Sequence, residues 1–251
     1  SSLVGSEMCI RDRELLFTTG EEHFCVGAKA FDAQRLQSKT AYVMDLSGPV
    51  GDCAVAAPTL ITFSAEVVGK AAHAGFAPED GVHAIQVAAA PVANLPSGRW
   101  GDVTVNVGTI SGGRATNIVP DSCTVTGEIR ALCHQDALDR LNEIHSEFVE
   151  QAQAVDAKLN FNHTIHITGY RVDTDAPVAQ RFKRACEAVG VTPRFTDTYG
   201  GSDCNILSAH GIQGLVVATA MNNCHAVNEY TTVEELCKAG RLAQALMEKQ
   251  D

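Results

Sequence analysis

From Leu60 to Val68, apolar and polar side chains alternate. Ile61, Phe63, Ala65 and Val67 fall on one face, and Thr62, Ser64, Glu66 and Val68 on the other, the period of a half-buried strand. Between residues 135 and 154 the period lengthens. Leu138, Leu141, Ile144, Phe148 and Val149 recur every three or four positions, which predicts an amphipathic helix. The same reading places strands at 60–68, 103–110, 119–130 and 158–167 and helices at 81–95 and 135–154. That strand–helix–strand–strand–helix–strand order is the ferredoxin-like split βαββαβ unit. The flanks are patterned differently. Residues 14–57 alternate short strands with a helix, and after Gly169 the same α/β style returns, with a helix at 203–210, a buried-looking strand at 214–219 and a last helix from Thr232 to about Lys249. The chain is therefore expected to be α/β, with a small domain at 59–168 inserted into another formed by 14–58 and 169–251.

The flanking segments carry the candidate chemistry. Glu21 and Glu22 follow the apolar run Leu15-Leu16-Phe17 and precede a helical pattern. Alone, such a pair reads most simply as a solvated acidic first helical turn, which the helix dipole favours. Asp45 follows Ala41-Tyr42-Val43-Met44, and His225 comes shortly after the 214–219 strand. Ligands of open α/β sheets bind at the carboxyl ends of strands. Three strand ends thus each deliver a carboxylate or an imidazole, a donor set suited to zinc and less often to cobalt or manganese.

The order of short motifs is more specific than any one of them. Phe17-Thr18-Thr19-Gly20-Glu21-Glu22, Met44-Asp45-Leu46-Ser47-Gly48-Pro49, Gly69-Lys70-Ala71-Ala72-His73-Ala74-Gly75, Gly112-Gly113-Arg114-Ala115-Thr116-Asn117, Gly127-Glu128-Ile129-Arg130, Gly200-Gly201-Ser202-Asp203 and Cys224-His225-Ala226-Val227-Asn228-Glu229 follow one another between residues 14 and 249. In that order they resemble the M20 metallopeptidases, particularly the peptidase T-like (tripeptide aminopeptidase) branch. The resemblance implies a zinc-exopeptidase-like catalytic domain with an inserted lid and dimerisation domain, two zinc ions per complete subunit, a short peptide substrate and a homodimer formed through the lid. Glu21 then corresponds to the general base, Glu22 and His225 to ligands of one metal, and Asp45 to a ligand of the other. His73 corresponds to a lid histidine that reaches a substrate carbonyl. Asn117 and Arg130 correspond to groups that bind polar or carboxylate ends of a substrate. Gly201 would let a ligand approach closely, and Ser202 serves either the substrate or, as an N-cap, the helix that follows. A same-fold N-acyl amino acid amidohydrolase needs the same metal chemistry and is the alternative enzyme.

One departure limits the resemblance. The family places a His-x-Asp motif and a bridging aspartate well upstream of the Glu-Glu pair, whereas here no histidine precedes Glu21 and Asp12 is the one aspartate that does. Residues 1–13 resemble a translated sequencing adapter, so a non-native leader and a catalytic domain lacking its N-terminal part are expected. On that footing an alternative reading is open, in which the chain by itself is expected to bind metal weakly and to be a non-catalytic dimerisation or binding module. Composition narrows the rest. Nineteen basic against thirty acidic residues give a net charge of −11, which disfavours nucleic acid and anionic membranes as partners. No apolar run approaches the roughly 20 residues of a membrane span. Nine cysteines without C-x-x-C spacing fit reduced thiols in a cytoplasm. Cys25, Cys204 and Cys224, beside the candidate site, are expected to pack as small apolar residues.

Overall fold

The structure is a computed structural model that describes residues 2–4, 13–95 and 98–248. Most of the expected leader, residues 1 and 5–12, and Lys249 at the expected helix end lie outside the described residues. The chain divides into two compact units, Ser1–Pro58 with Ile167–Asp251, and Thr59–His166.

The second unit is built on strands β5 (Thr59–Val68), β7 (Val103–Gly112), β8 (Ser122–Ala131) and β9 (Lys158–Ile167), with helices α2 (Ala84–Asn94) and α3 (His134–Gln153). A short strand not expected from the pattern, β6 (Gly98–Trp100), pairs with the start of β7, giving the sheet order β6-β7-β8-β5-β9. Leaving out β6, this is the ferredoxin-like arrangement. Ile61, Phe63, Ala65 and Val67 are all buried, as their alternation requires, in one core with Val87 and Ala88 of α2 and Leu141, Ile144 and Phe148 of α3. Two expected boundaries move. The strand expected at 119–130 begins at Ser122, because Pro120 has no N–H to give a ladder, while Val119 N–H and Pro120 carbonyl bond to Ala72 and Ala84 instead. The helix expected from 81 begins at Ala84, because Val82 exchanges both backbone bonds with Lys70 and His83 then caps the helix, its Nδ1 accepting from Gln86 N–H at 3.3 Å.

The first unit contains β1 (Ser2–Val4), β2 (Leu15–Phe17), β3 (Thr40–Ser47), β4 (Asp52–Ala57), β10 (Tyr170–Arg171), β11 (Arg194–Asp197) and β12 (Gln213–Met221), with helices α1 (Val26–Ala30), α4 (Pro177–Ala188), α5 (Asp203–Ala209) and α6 (Val233–Met247). Its main sheet runs β10-β4-β12-β3, β11 also pairing with β4. β12 is parallel to β3 but antiparallel to β4, so the sheet is mixed. β12 is apolar throughout its centre, since Leu215, Val216, Val217 and Ala218 are buried by neighbouring strands and by α4 and α6. Arg181 of α4 donates to the carbonyls of Leu246 and Glu248, satisfying acceptors that the end of α6 leaves open.

Phe148 is fully buried among α2, α3 and the sheet of the second unit. Phe148→Ala should lower the stability of that unit by about 3–5 kcal/mol, the ordinary cost of deleting a buried ring. Urea unfolding of the Thr59–His166 unit, followed within the whole chain, measures it.

Candidate functional site in the first unit

Glu21 and Glu22 do not lie in a helix. They occupy turns between β2 and α1, and the first turn of α1 holds no acidic residue, so the simple reading as a dipole-stabilised helix start does not hold. The loop closes on itself through Val26 N–H to Gly20 carbonyl at 3.3 Å and Gly27 N–H to Thr19 carbonyl at 2.9 Å. Gly27 allows this approach: a Cβ there would stand 2.2 Å from the Thr19 carbonyl oxygen. Phe24 and Cys25 both adopt left-handed backbone, with φ of 59° and 58°. Each such non-glycine residue costs on the order of 1–3 kcal/mol.

Asp45 lies inside β3, not beyond its end as expected. Val216 pairs with Val43 and Ala218 with Leu46, so β3 carries an extra residue at Met44–Asp45, and β12 carries extra residues between Ala218 and Met221. Bulges of this kind re-aim side chains out of the regular alternation. His225 sits beyond the second bulge, in a loop pinned by reciprocal backbone bonds between Asn222 and Tyr230 and by His225 N–H donating to Glu229 Oε2 at 3.1 Å. Ala220, Asn223 and His225 are again left-handed non-glycine residues.

The folding brings these groups together. His225 Nδ1 is 3.7 Å from Glu22 Oε1. Glu21 is half-buried, and partial burial followed by the charges of Asp45, Glu22 and Asp203 raises its carboxyl above the usual range. Asp45 is also raised, by desolvation and then by the charges of Asp203 and Glu22, and His225 opposes the shift. Asp203 is the carboxylate that sequence reading missed. It was visible as the last residue of Gly200-Gly201-Ser202-Asp203, but nothing in the sequence said that it would face Glu21 rather than solvent. It is 8% exposed, accepts a hydrogen bond from Thr18 Oγ1, and leaves Oδ1 buried without a hydrogen-bond partner. Cys25 packs against this group, and burial, Asp203 and Glu21 push its thiol up to about 12, a packing residue rather than a nucleophile.

The donor chemistry fits a divalent cation only in part. Glu22 with His225, and Asp45 nearby, are suitable donors, and the crowded carboxylates and orphaned Asp203 oxygen are what a cation would relieve. Yet among the described residues no three His, Cys, Asp or Glu side chains converge tightly enough to hold an ion. Among the described residues they do not make a complete metal site.

The remaining expected residues fall into two groups. Ser202 is buried and caps α5, its Oγ accepting from Cys204 N–H, which favours the capping alternative. A Cβ on Gly201 would meet Ile167 at 2.2 Å, so this glycine serves close packing. In the second unit, exposed His73 accepts at Nδ1 from the N–H groups of Gly75 and Phe76. In its neutral form the proton is then on Nε2, the tautomer a carbonyl-directed donor needs. Asn117 is exposed in the loop after β7. The Arg130 fork is directed to Glu128, with Nε at 2.9 Å from Oε1 and Nη2 at 3.4 Å from Oε2.

The peptidase dimerisation domain of the M20 family matches residues 55–156. The uncharacterized protein YqjE of Bacillus subtilis (strain 168) is 32% identical over 237 residues, a match covering 94% of this chain and 64% of that protein. The crystal structure of aminopeptidase PepT from Bacillus cereus superposes with a TM-score of 0.89 at 36% identity, over 93% of this chain and 63% of that one. A tripeptidase from Staphylococcus aureus superposes with a TM-score of 0.90 at 26% identity, with the same coverage. This is an M20 peptidase T-like chain. It spans less than two thirds of the length of these relatives. No helix among its described residues is long and apolar enough to cross a membrane.

The raised carboxyls set a pH dependence with a definite sign. A carboxyl whose pKa is higher in the folded than in the unfolded chain binds its proton more tightly when folded, so stability falls as pH rises from the ordinary carboxylate range through the raised one. Glu21→Gln and Asp45→Asn should therefore each raise Tm by about 2 °C at neutral pH. The gain should vanish when the wild type is acidified below the ordinary carboxylate range. Thermal unfolding at a series of pH values measures both.

Proposed function

We propose that this chain is the larger part of a metallopeptidase acting on short peptides near a free terminus, with tripeptides as the favoured substrate class. The observation that carries the reading is the gathering of Glu21, Glu22, Asp45 and His225 in one unit, with Glu22 and His225 3.7 Å apart. Support comes from the names of the relatives, since an aminopeptidase and a tripeptidase are among them, as is the peptidase T of Alkaliphilus oremlandii, 25% identical over 92% of this chain.

In this reading Glu22 and His225 would hold one zinc ion and Asp45 would be a ligand of a second; cobalt or manganese would suit the same donors. Such ions lower the pKa of bound water and polarise a carbonyl. Glu21 is the proton carrier. A carboxylate that does not itself hold an ion is free to accept and return a proton. His73, through Nε2–H, is the donor toward a substrate carbonyl oxygen, and Asn117 and Arg130 bind the substrate's polar or carboxylate end. The alternative enzyme, an N-acyl amino acid amidohydrolase, uses the same base and ligands and differs in what the substrate pocket accepts.

The complete gene product should turn over tripeptides faster than N-acyl amino acids, and the reverse order would replace the first reading with the second. The 251-residue chain should instead retain less than one zinc per chain after dialysis and show negligible tripeptide turnover. Metal analysis finding two tightly held ions would overturn that part.

The dimer is assigned to the second unit. β6 covers β7 only at Val103–Val105, and the edge from Asn106 to Gly112 has no strand partner among the described residues on that side. Val92 and Leu95 line a groove of about 410 Å³ with the β7 residues, where Ile110 is exposed. An unpaired strand beside apolar surface is suited to pairing with a second copy. Sedimentation should show a dimer, and Ile110→Lys should shift it toward monomer.

A further inference from the structure

Chemical roles alternate along the first turn of α5, and its third residue has one that neither motif nor resemblance assigns. Asn205 is completely buried, one of the few buried polar side chains among the described residues. A buried carboxamide is costly unless its donors and acceptor are all used. Here they are used on three separate backbone segments. Nδ2 donates to the Pro58 carbonyl at 3.1 Å and to the Thr168 carbonyl at 2.9 Å. Oδ1 accepts from Ser202 N–H at 3.1 Å. Pro58 is the last residue before the chain leaves the first unit, and Thr168 follows closely on its re-entry at Ile167. One side chain therefore holds both crossing segments to the turn that contains Ser202 and Asp203.

That turn is itself tied to the Glu21–Glu22 loop. Asp203, two residues before Asn205, accepts from Thr18 Oγ1, and Thr18 precedes the Thr19 carbonyl on which the loop closes. The path from the crossing segments to the acidic loop thus runs through a few buried or partly buried hydrogen bonds: Pro58 and Thr168 carbonyls, Asn205, the Ser202–Asp203 turn and Thr18. We infer that Asn205 is a positioning residue, fixing the two crossing segments and, through the Ser202–Asp203 turn, the loop that presents Glu21 and Glu22. Its bearing on catalysis rests on the base role proposed for Glu21. The mechanical link does not.

The two ends of the carboxamide can be separated by substitution. Asn205→Ala removes all three bonds. Asn205→Asp keeps an acceptor for Ser202 N–H and removes both donations to the crossing segments. Hydrogen exchange of the whole chain, read by mass spectrometry, reports each region. The amides of Cys25, Val26 and Gly27 report the acidic loop, those of Val172 and Thr198 report the ladder beside the crossing segments, and α4 is the reference. In Asn205→Ala both regions should exchange about tenfold faster than wild type relative to α4. In Asn205→Asp the crossing segments should loosen by a similar factor while the loop stays within about twofold of wild type. Thr18→Val cuts the path from the other side and should loosen the loop alone. It also decides the matter if both Asn205 variants lose α4 protection and fail to fold. A loop unchanged in Asn205→Ala, a loop as loose in folded Asn205→Asp as in Asn205→Ala, or a loop unchanged in Thr18→Val would overturn the inference. Because none of these readouts uses turnover, its failure is distinct from failure of the peptidase reading.

Discussion

Like charge held in one place is the constraint on which the first unit depends. Desolvation, and after it the charges of the neighbouring carboxylates, raises the carboxyls of Glu21 and Asp45 in a group that also holds Glu22 and Asp203, and His225 is the opposing charge placed beside them. Left to electrostatics alone, three chain segments carrying such groups would move apart. They are held by apolar β12 at the centre of the sheet, by the closed turns around Gly20 and Asn222, and by the buried first turn of α5. The packing that keeps the carboxylates together stabilises the fold, and the repulsion between them works against it. Sites that need a charged partner to complete them show this tension.

The strain is distributed accordingly. Six non-glycine residues among those described have left-handed backbone, and five of them, Phe24, Cys25, Ala220, Asn223 and His225, lie on the two segments that deliver Glu21, Glu22 and His225. The sixth, Asp156, sits in the turn after α3, where aspartate is tolerated in this conformation. Register jumps in both β3 and β12 fall at Asp45 and just before His225. Backbone outliers concentrated on the segments that carry candidate ligands point to function independently of any sequence resemblance.

What could be read from the sequence follows from periodicity. β5 and α3 have clean periods of two and of three to four, and the second unit's fold followed from them almost completely, with short β6 and the shifts forced by Pro120 and Val82 as exceptions. The site was legible as residue types but not as geometry. Asp45 looked like a strand-end residue because a bulge leaves no mark in a hydrophobic pattern. Glu21 and Glu22 looked like a helix start because two consecutive left-handed residues cannot be read from Phe24-Cys25, neither of which favours that conformation. Ser202 was ambiguous between ligand and cap until its burial was known.

Residues 202–205 show why neighbours in a motif should not be given one role. Ser202 turns its hydroxyl inward to cap α5, Asp203 turns toward Thr18, and Asn205 turns to the crossing segments. Three polar residues of one short stretch are spent on three different parts of the frame. Only Asp203 keeps an unsatisfied oxygen. In a protein interior nearly every polar atom finds a partner, so this carboxylate oxygen marks where this turn stops supplying contacts and positive charge from elsewhere would be stabilising. The charge of Asp203 acts on both Glu21 and Asp45. The division between frame and site therefore falls within one helical turn, with Asn205 on one side and Asp203 on the other.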